Sequence, residues 1–310
     1  MKACFYRAYG GPEVLQYGDL PDPVLEAGQV LVRLSAASVA PLDWKLRAGL
    51  LQAHFTPGFP KIPGRDGTGT IIALGPESTD FAIGDRVCVM APPPLAAGTY
   101  AERIACNTIN VVKLPDAISM EDGAAVVNSG LSAWISAVRT ADIKPGQKVL
   151  VHSGAGAVGG LLVQFCRHLG ADVTTTCRDG NQDYVLSLGA SRAIAYDRDD
   201  FTTIEPQDTV FDLVGGAVHD RSYTVLKPGG HLVWLTALPI VDRGEEFGVR
   251  VSRAMISDDG EAVSAMLDLV AKGIIRPQIS HLMPLAEARE AQTMMAAGTV
   301  TRGRIVLQIP

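Results

Sequence analysis

This chain has no cluster of basic residues, no long apolar run and no closely spaced cysteines. Lys and Arg together number 27 against 33 Asp and Glu, a formal net charge of -6. That balance argues against a nucleic-acid or anionic-membrane partner held by charge. No apolar stretch approaches the roughly 20 residues needed to span a bilayer, so no membrane is expected. The five cysteines, Cys4, Cys88, Cys106, Cys166 and Cys177, are scattered and odd in number. Free thiols in a reducing compartment follow more naturally than a disulfide framework. The N-terminus, MKACFYRAYGGPEVL, runs at once into strand-like sequence and has no apolar signal region. A cytoplasmic chain without a signal peptide is the expectation. What is abundant is apolar sequence, 47% of 310 residues, enough for more than one core, and two lobes are expected.

The first third is β-rich. Val30, Val32 and Leu34 alternate with Leu31, Arg33 and Ser35, and Val87 and Val89 flank Cys88, the period-two signature of half-buried strands. Tyr100 to Ile104 reads as another strand after the loop around Pro92, Pro93 and Pro94. From about Glu121 the pattern changes to helix and strand in alternation, which predicts βαβ units and a parallel sheet. Its strands are expected at Lys148 to His152, Asp172 to Thr176, Arg192 to Tyr196, Thr209 to Val214, His231 to Thr236 and near Gly248 to Met255. Gly303 to Gln308 reads as an edge strand that closes the first lobe, so that lobe is discontinuous in sequence.

The segment KVLVHSGAGAVGGLLVQF carries Gly154-x-Gly156-x-x-Gly159 where a strand gives way to a helix. Glycine is needed there for a sharp turn, for close approach of a pyrophosphate, and for tight helix-on-strand packing. Ala155, Ala157 and Val158 fill the intervening positions. The helix N-terminus then offers free N–H groups and a positive dipole to the anion. A nicotinamide dinucleotide is the ligand this arrangement predicts.

An NAD-preferring fold carries Asp or Glu about twenty residues after the fingerprint, for the ribose hydroxyls. Here Thr176 holds that position, followed by Cys177, Arg178 and Asn181. Hydroxyl, guanidinium and amide donors suit a 2'-phosphate, so NADPH is the predicted cofactor. Against this, Asp179 stands ready to cancel part of the field of Arg178.

The ordered motifs MKA, YGGPEVL, SVAPLDWKLRAGL, IPGRDGTG, GDRV, GTYAE, SGLSAW, the Gly154 fingerprint, FDLVGG, LKPGG and GRIVL span essentially the whole chain. In that order they resemble the zinc-free quinone oxidoreductase (zeta-crystallin-like) branch of the medium-chain dehydrogenase/reductases. The resemblance implies an α/β architecture: a GroES-like catalytic domain at 1–120, completed by 272–310, and a Rossmann doubly wound parallel sheet at 121–271. It implies NADPH-dependent reduction of quinones or other conjugated carbonyls, in a homodimer. It also implies that Ser132, Tyr196, Val214 and Leu238 lie near the cofactor.

In the alcohol-dehydrogenase branch a catalytic zinc is held by a Cys and by the His of a Gly-His-Glu motif. Those positions read Ala40 and Arg65 here, and neither is a zinc ligand, although Asp66 remains. No metal is therefore expected. A quinone or enone spreads the charge left by hydride addition through its own π-system, whereas an isolated ketone needs an electrophile to absorb it. Ala40 also replaces the Asn common in the branch, which removes a polar anchor. Ala40, Asp43 and Tyr100 are the candidate cleft-lining residues, although Asp43, Lys45 and Arg47 read at least as well as solvated charge and Tyr100 more commonly as a buried strand tyrosine with its hydroxyl satisfied. Two other readings stay open: a zinc-independent alcohol or ketone dehydrogenase, and an NADPH-binding protein with a sensing or structural role.

Overall fold

The computed structural model describes residues 1–236 and 239–310. Two sheets organise the chain. One is a parallel six-stranded sheet in the order Arg192–Ala195, Asp172–Cys177, Lys148–Val151, Gln207–Asp212, Leu226–Trp234, Arg250–Arg253. Numbered along the chain this order is 3-2-1-4-5-6, the doubly wound arrangement, and each strand expected from sequence lies within a few residues of its place. The other is a seven-stranded sheet built from both ends of the chain, with Arg304–Gln308 antiparallel to Gln29–Val39. Chain order reverses between Lys148–Val151 and Gln207–Asp212, so the ligand crevice opens at the carboxyl ends of those two neighbours.

Helix Met120–Trp134 joins the two sheets. Ser119 caps it by accepting the N–H of Asp122, and Glu121 and Asp122 suit the positive end of its dipole. Gly123, Ala124, Ala125, Gly130 and Ala133 keep it thin, so strands of one lobe and helices of the other press on it from both sides. A Cβ on Gly123 would meet Leu114 and Thr68 at 2.9 Å. Buried Cys88, Met90 and Leu114 accordingly share one core with Val149 and Val151 of the parallel sheet and with Phe165 of the helix Ala157–His168 that covers it.

Two strand expectations need correction. Arg304–Gln308 is interior, because Ile279–Pro284 pairs parallel to it and forms the edge. Only Met283 of that edge strand is buried, so its sequence shows no alternation to read. The strand expected at Tyr100 to Ile104 runs instead over Arg103–Asn107, and Tyr100 and Ala101 reach Cys4 and Ala3 through isolated bonds.

Candidate active site

Sterics explain two of the fingerprint glycines directly. A Cβ on Gly154 would lie 1.9 Å from Thr175 Oγ1, and one on Gly159 would lie 2.1 Å from the Ser153 carbonyl oxygen. Gly156 differs: its φ of -72° suits any residue, and a Cβ there would meet nothing nearer than 3.4 Å. The space it leaves open faces the N-terminus of helix Ala157–His168, whose cap residue supplies no side-chain hydrogen bond. The cap leaves the first-turn N–H groups of Val158 and Gly159 to a ligand, while that of Ala157 faces Gly303 in the isolated parallel bridge between Gly156 and Gly303. An anionic pyrophosphate fits that cradle.

Ala155, Gly156, Arg178, Asn181, Tyr196 and Thr301 line a pocket of about 170 Å³ beside the cradle. The C-terminal segment helps to build it. Gly303 donates its N–H to the Ala155 carbonyl at 2.9 Å, and Asn181 Nδ2 donates to the Thr301 carbonyl at 3.0 Å. Asn181 is thus buried and partly engaged, while Arg178 stays exposed, with Nε donating to the Tyr196 hydroxyl at 3.1 Å. The charge of Asp179 goes elsewhere, to Arg198 at 2.8 Å. The Asp179 carboxylate is thus engaged by Arg198 rather than by Arg178.

Thr176 corrects another expectation. Its side chain is buried and takes part in a directed chain. Burial pulls the pKa of His152 down to about 4, so the ring is neutral near pH 7. The Ser222 hydroxyl donates to the Val218 carbonyl at 2.7 Å and so accepts from His152 Nε2, 3.0 Å away. His152 Nδ1 must then accept, and the Thr176 hydroxyl donates to it at 3.1 Å while accepting the N–H of Ser153 at 3.2 Å. The one hydroxyl proton of Thr176 is committed inside the protein and is not available to a phosphate. What the chain supports is Ser153, which turns from strand to helix at a φ of 60°, a conformation that costs a non-glycine residue about 1–2 kcal/mol.

Ser132 lies nearly buried on helix Met120–Trp134, at the junction of the lobes. Val214 is 41% exposed just past strand Gln207–Asp212, on the far side of the crevice from Arg178. Tyr196 is 51% exposed at the pocket rim. Leu238 lies outside the described residues.

In the catalytic lobe, Ala40 is buried and donates its N–H to Asp43 Oδ2 at 2.8 Å. The same oxygen accepts the Tyr100 hydroxyl at 2.9 Å, and Oδ1 accepts the N–H of Gly64 at 3.3 Å. Asp43 and Tyr100 are therefore locked together inside the lobe, and Tyr100 has its hydroxyl satisfied there rather than presented to a cleft. Burial pushes the Asp43 carboxyl up to about 6. Arg47 corrects the solvated reading: it is 2% exposed and donates to Gln292 Oε1 at 2.7 Å and to the Gly10 carbonyl at 2.9 Å. A small pocket beside these groups is lined by Tyr6, Leu42, Asp43, Lys61 and Arg65. Lys61 is buried there, pulled down to about 8, and donates to the carbonyls of Leu95 and Ala97. Arg65 pairs with Asp258, which also accepts from Asn110 Nδ2 at 3.1 Å, tying the catalytic lobe to the segment after the last parallel strand. Among the described residues no three His, Cys, Asp or Glu side chains gather into a group able to hold a metal ion.

This geometry has clear relatives. The chain is 31% identical to a quinone oxidoreductase of Pseudomonas aeruginosa, over 97% of its own length and 98% of that protein. It belongs to the quinone oxidoreductase branch of the medium-chain dehydrogenase/reductases. Residues 26–116 match the alcohol dehydrogenase GroES-like domain, and residues 188–307 match the zinc-binding dehydrogenase family. An NADPH-dependent alkenal/one oxidoreductase of Arabidopsis thaliana is 28% identical over all of this chain and 80% of that one. The quinone oxidoreductase from Coxiella burnetii superposes with a TM-score of 0.90 at 30% identity, covering 100% of this chain and 99% of that one. A mycobacterial protein complexed with NADPH superposes at 0.88 with 28% identity, covering 99% and 100%. The chain is thus an oxidoreductase with an NAD(P)-binding dehydrogenase fold. No helix among its described residues is long and apolar enough to cross a membrane.

Residues 298–303 and the Thr176–His152–Ser222 chain were beyond sequence reasoning. Val300 and Thr301 meet the fingerprint pocket from more than a hundred positions away, and no local pattern marks that encounter.

Proposed function

We propose that the protein reduces quinones and other conjugated carbonyl compounds with NADPH, working as a homodimer. The observation that carries the cofactor choice is the exposed Arg178 at the pocket rim, bonded to Tyr196 while Asp179 pairs with Arg198. Gly156, with Ala157 beside it, and the N–H groups of Val158 and Gly159 would hold the pyrophosphate. Arg178, Tyr196 and Asn181 would hold the 2'-phosphate end, and Val214, across the switch point, would border the nicotinamide. Bound there, the cofactor supplies hydride. Ala40 offers the acceptor no electrophile, and the Arg65 guanidinium is engaged by Asp258. The lobe's contribution is then mainly shape and alignment, with protonation completed from water, which suits acceptors that delocalise the added charge themselves.

The first test is oxidation of NADPH and NADH against quinones, 2-enals and 2-enones, with simple ketones as controls. Turnover of conjugated acceptors with NADPH preferred is the expected result. Arg178→Ala should weaken NADPH by about 10- to 100-fold, the range for a charged hydrogen bond, with little change for NADH. Equal losses for both cofactors would remove the 2'-phosphate assignment.

The dimer reading rests on the family and on strand Arg250–Arg253, which ends the parallel sheet with an edge that is unpaired among the described residues. Light scattering should give twice the mass of 32.8 kDa. A monomer mass would sink it.

A further inference from the structure

On the nicotinamide side of the switch point, a second buried polar chain joins two loops, and no step of the proposed reaction uses it. Asp212, fully buried at the end of strand Gln207–Asp212, accepts the N–H groups of Val214 and Gly215 on Oδ1, each at 2.8 Å. Its Oδ2 lies 2.8 Å from Nδ1 of buried His219. The other ring nitrogen of His219 lies 3.2 Å from the Tyr223 hydroxyl oxygen. That hydroxyl accepts the N–H of Arg243 at 3.1 Å, and its one proton has two acceptors within reach, His219 Nε2 and the Val241 carbonyl at 3.3 Å. Burial alone would push the Asp212 carboxyl up, but its bonds from His219, Gly215 and Val214 bring it below the ordinary value, so it stays ionised. The Tyr223 ring is stacked on Phe247 with centroids 5.1 Å apart, which fixes where its hydroxyl points.

The loops need such support. The turn after Val214 passes through Gly215 and Gly216 at φ of 82° and 59°, and Val214 itself is half-exposed. Left to itself it would sample many conformations. The segment around Val241 follows the adjacent strand Leu226–Trp234, so both loops stand at carboxyl ends on the same side of the crevice. A carboxylate that holds two backbone N–H groups in a low-dielectric interior, backed by an imidazole and a phenol, fixes one loop relative to the other.

We infer that Asp212, His219 and Tyr223 are positioning residues that set the loops at Val214 and Val241 against the nicotinamide half of the cofactor. The inference rests on the dinucleotide reading above. It separates two duties along one crevice: the fingerprint and Arg178 bind the adenine half, while the Asp212 chain sets the alignment of the reacting ring. A small misplacement of that ring is costly in rate, because hydride transfer depends on near-contact geometry.

The test uses the full chain with Tyr223→Phe, which keeps the ring stack and deletes the hydroxyl, and Asp212→Asn as a second variant. Affinity is measured for NADPH and for 2'-phospho-ADP-ribose, which lacks the nicotinamide ring, together with kcat and KM on a quinone. Expected for Tyr223→Phe is a kcat about tenfold lower, weaker NADPH binding, and fragment affinity equal to wild type. Asp212→Asn should change the same quantities further in the same direction. A parallel loss of NADPH and fragment affinity would mean general loosening and overturn the inference. So would variants with kcat and NADPH affinity equal to wild type. Wild-type protein that binds neither compound would remove the dinucleotide reading and this inference with it.

Discussion

Replacing Gly156 with alanine should leave the apoprotein as stable as wild type and yet weaken the dinucleotide by about 10- to 100-fold, the worth of one charge-assisted contact. The same change at Gly159 should damage both properties. At Gly156 the backbone is extended and a Cβ has ordinary van der Waals room, so the fold has no need of glycine there. The need belongs to the ligand, whose pyrophosphate must approach the chain where the Cβ would stand. At Gly159 a Cβ would sit 2.1 Å from the carbonyl oxygen of Ser153, so helix and strand must separate. Overpacking of this kind costs about 1–3 kcal/mol, a fall in Tm of several degrees, and it displaces the cradle as well. Thermal unfolding without cofactor, set beside fluorescence titration with NADPH, distinguishes the two. A Gly156→Ala protein that binds NADPH like wild type would mean that the pyrophosphate does not cross the chain at that residue.

The contrast also marks what was legible in the sequence. The parallel strands could be placed to within a few residues because buried strands are short apolar runs bounded by turn residues, and the glycine spacing named the turn at Gly154. The discontinuous first lobe was legible for the same reason, since Ile305, Val306 and Leu307 read as a strand wherever they end up. Ile279–Pro284 was not, because every side chain in it except Met283 is at least partly exposed, polar and apolar alike, with no alternation. At the site, residue types were legible but their partners were not. Thr176 occupies the position expected for a cofactor contact, yet the direction of its one proton is set by His152 and Ser222, and Ser222 is 46 positions further on. A satisfied Tyr100 hydroxyl was legible as the commoner case, but not that its acceptor is Asp43, 57 positions earlier in the chain and 2.9 Å away. Local pattern reveals which groups are polar. Only the tertiary structure decides which of them have already found a partner.

Acid should reveal what it costs to keep His152 neutral. In the native state burial holds its pKa near 4, against an ordinary value of 6.5. Below pH 6.5 the unfolded chain takes up a proton that the folded protein refuses, so the folded state loses stability as the pH falls. The contribution is complete above about pH 6.5 and is lost progressively down to about pH 4. At roughly 1.4 kcal/mol for each pH unit between the folded and unfolded values, the whole effect is at most about 3 kcal/mol. Asp43 works in the opposite sense: its folded pKa, raised to about 6, makes the native state the better proton acceptor between pH 4 and 6. A bare pH–stability curve therefore mixes the two. His152→Gln resolves them, because an amide can still accept from Thr176 and donate to Ser222 without titrating, while Asp43 is common to both proteins. The difference in unfolding free energy, wild type minus variant, should be flat above pH 6.5 and fall by up to about 3 kcal/mol by pH 4. A difference that does not change with pH would mean that His152 accepts its proton as readily folded as unfolded, and the directed chain through Thr176 would have to be redrawn.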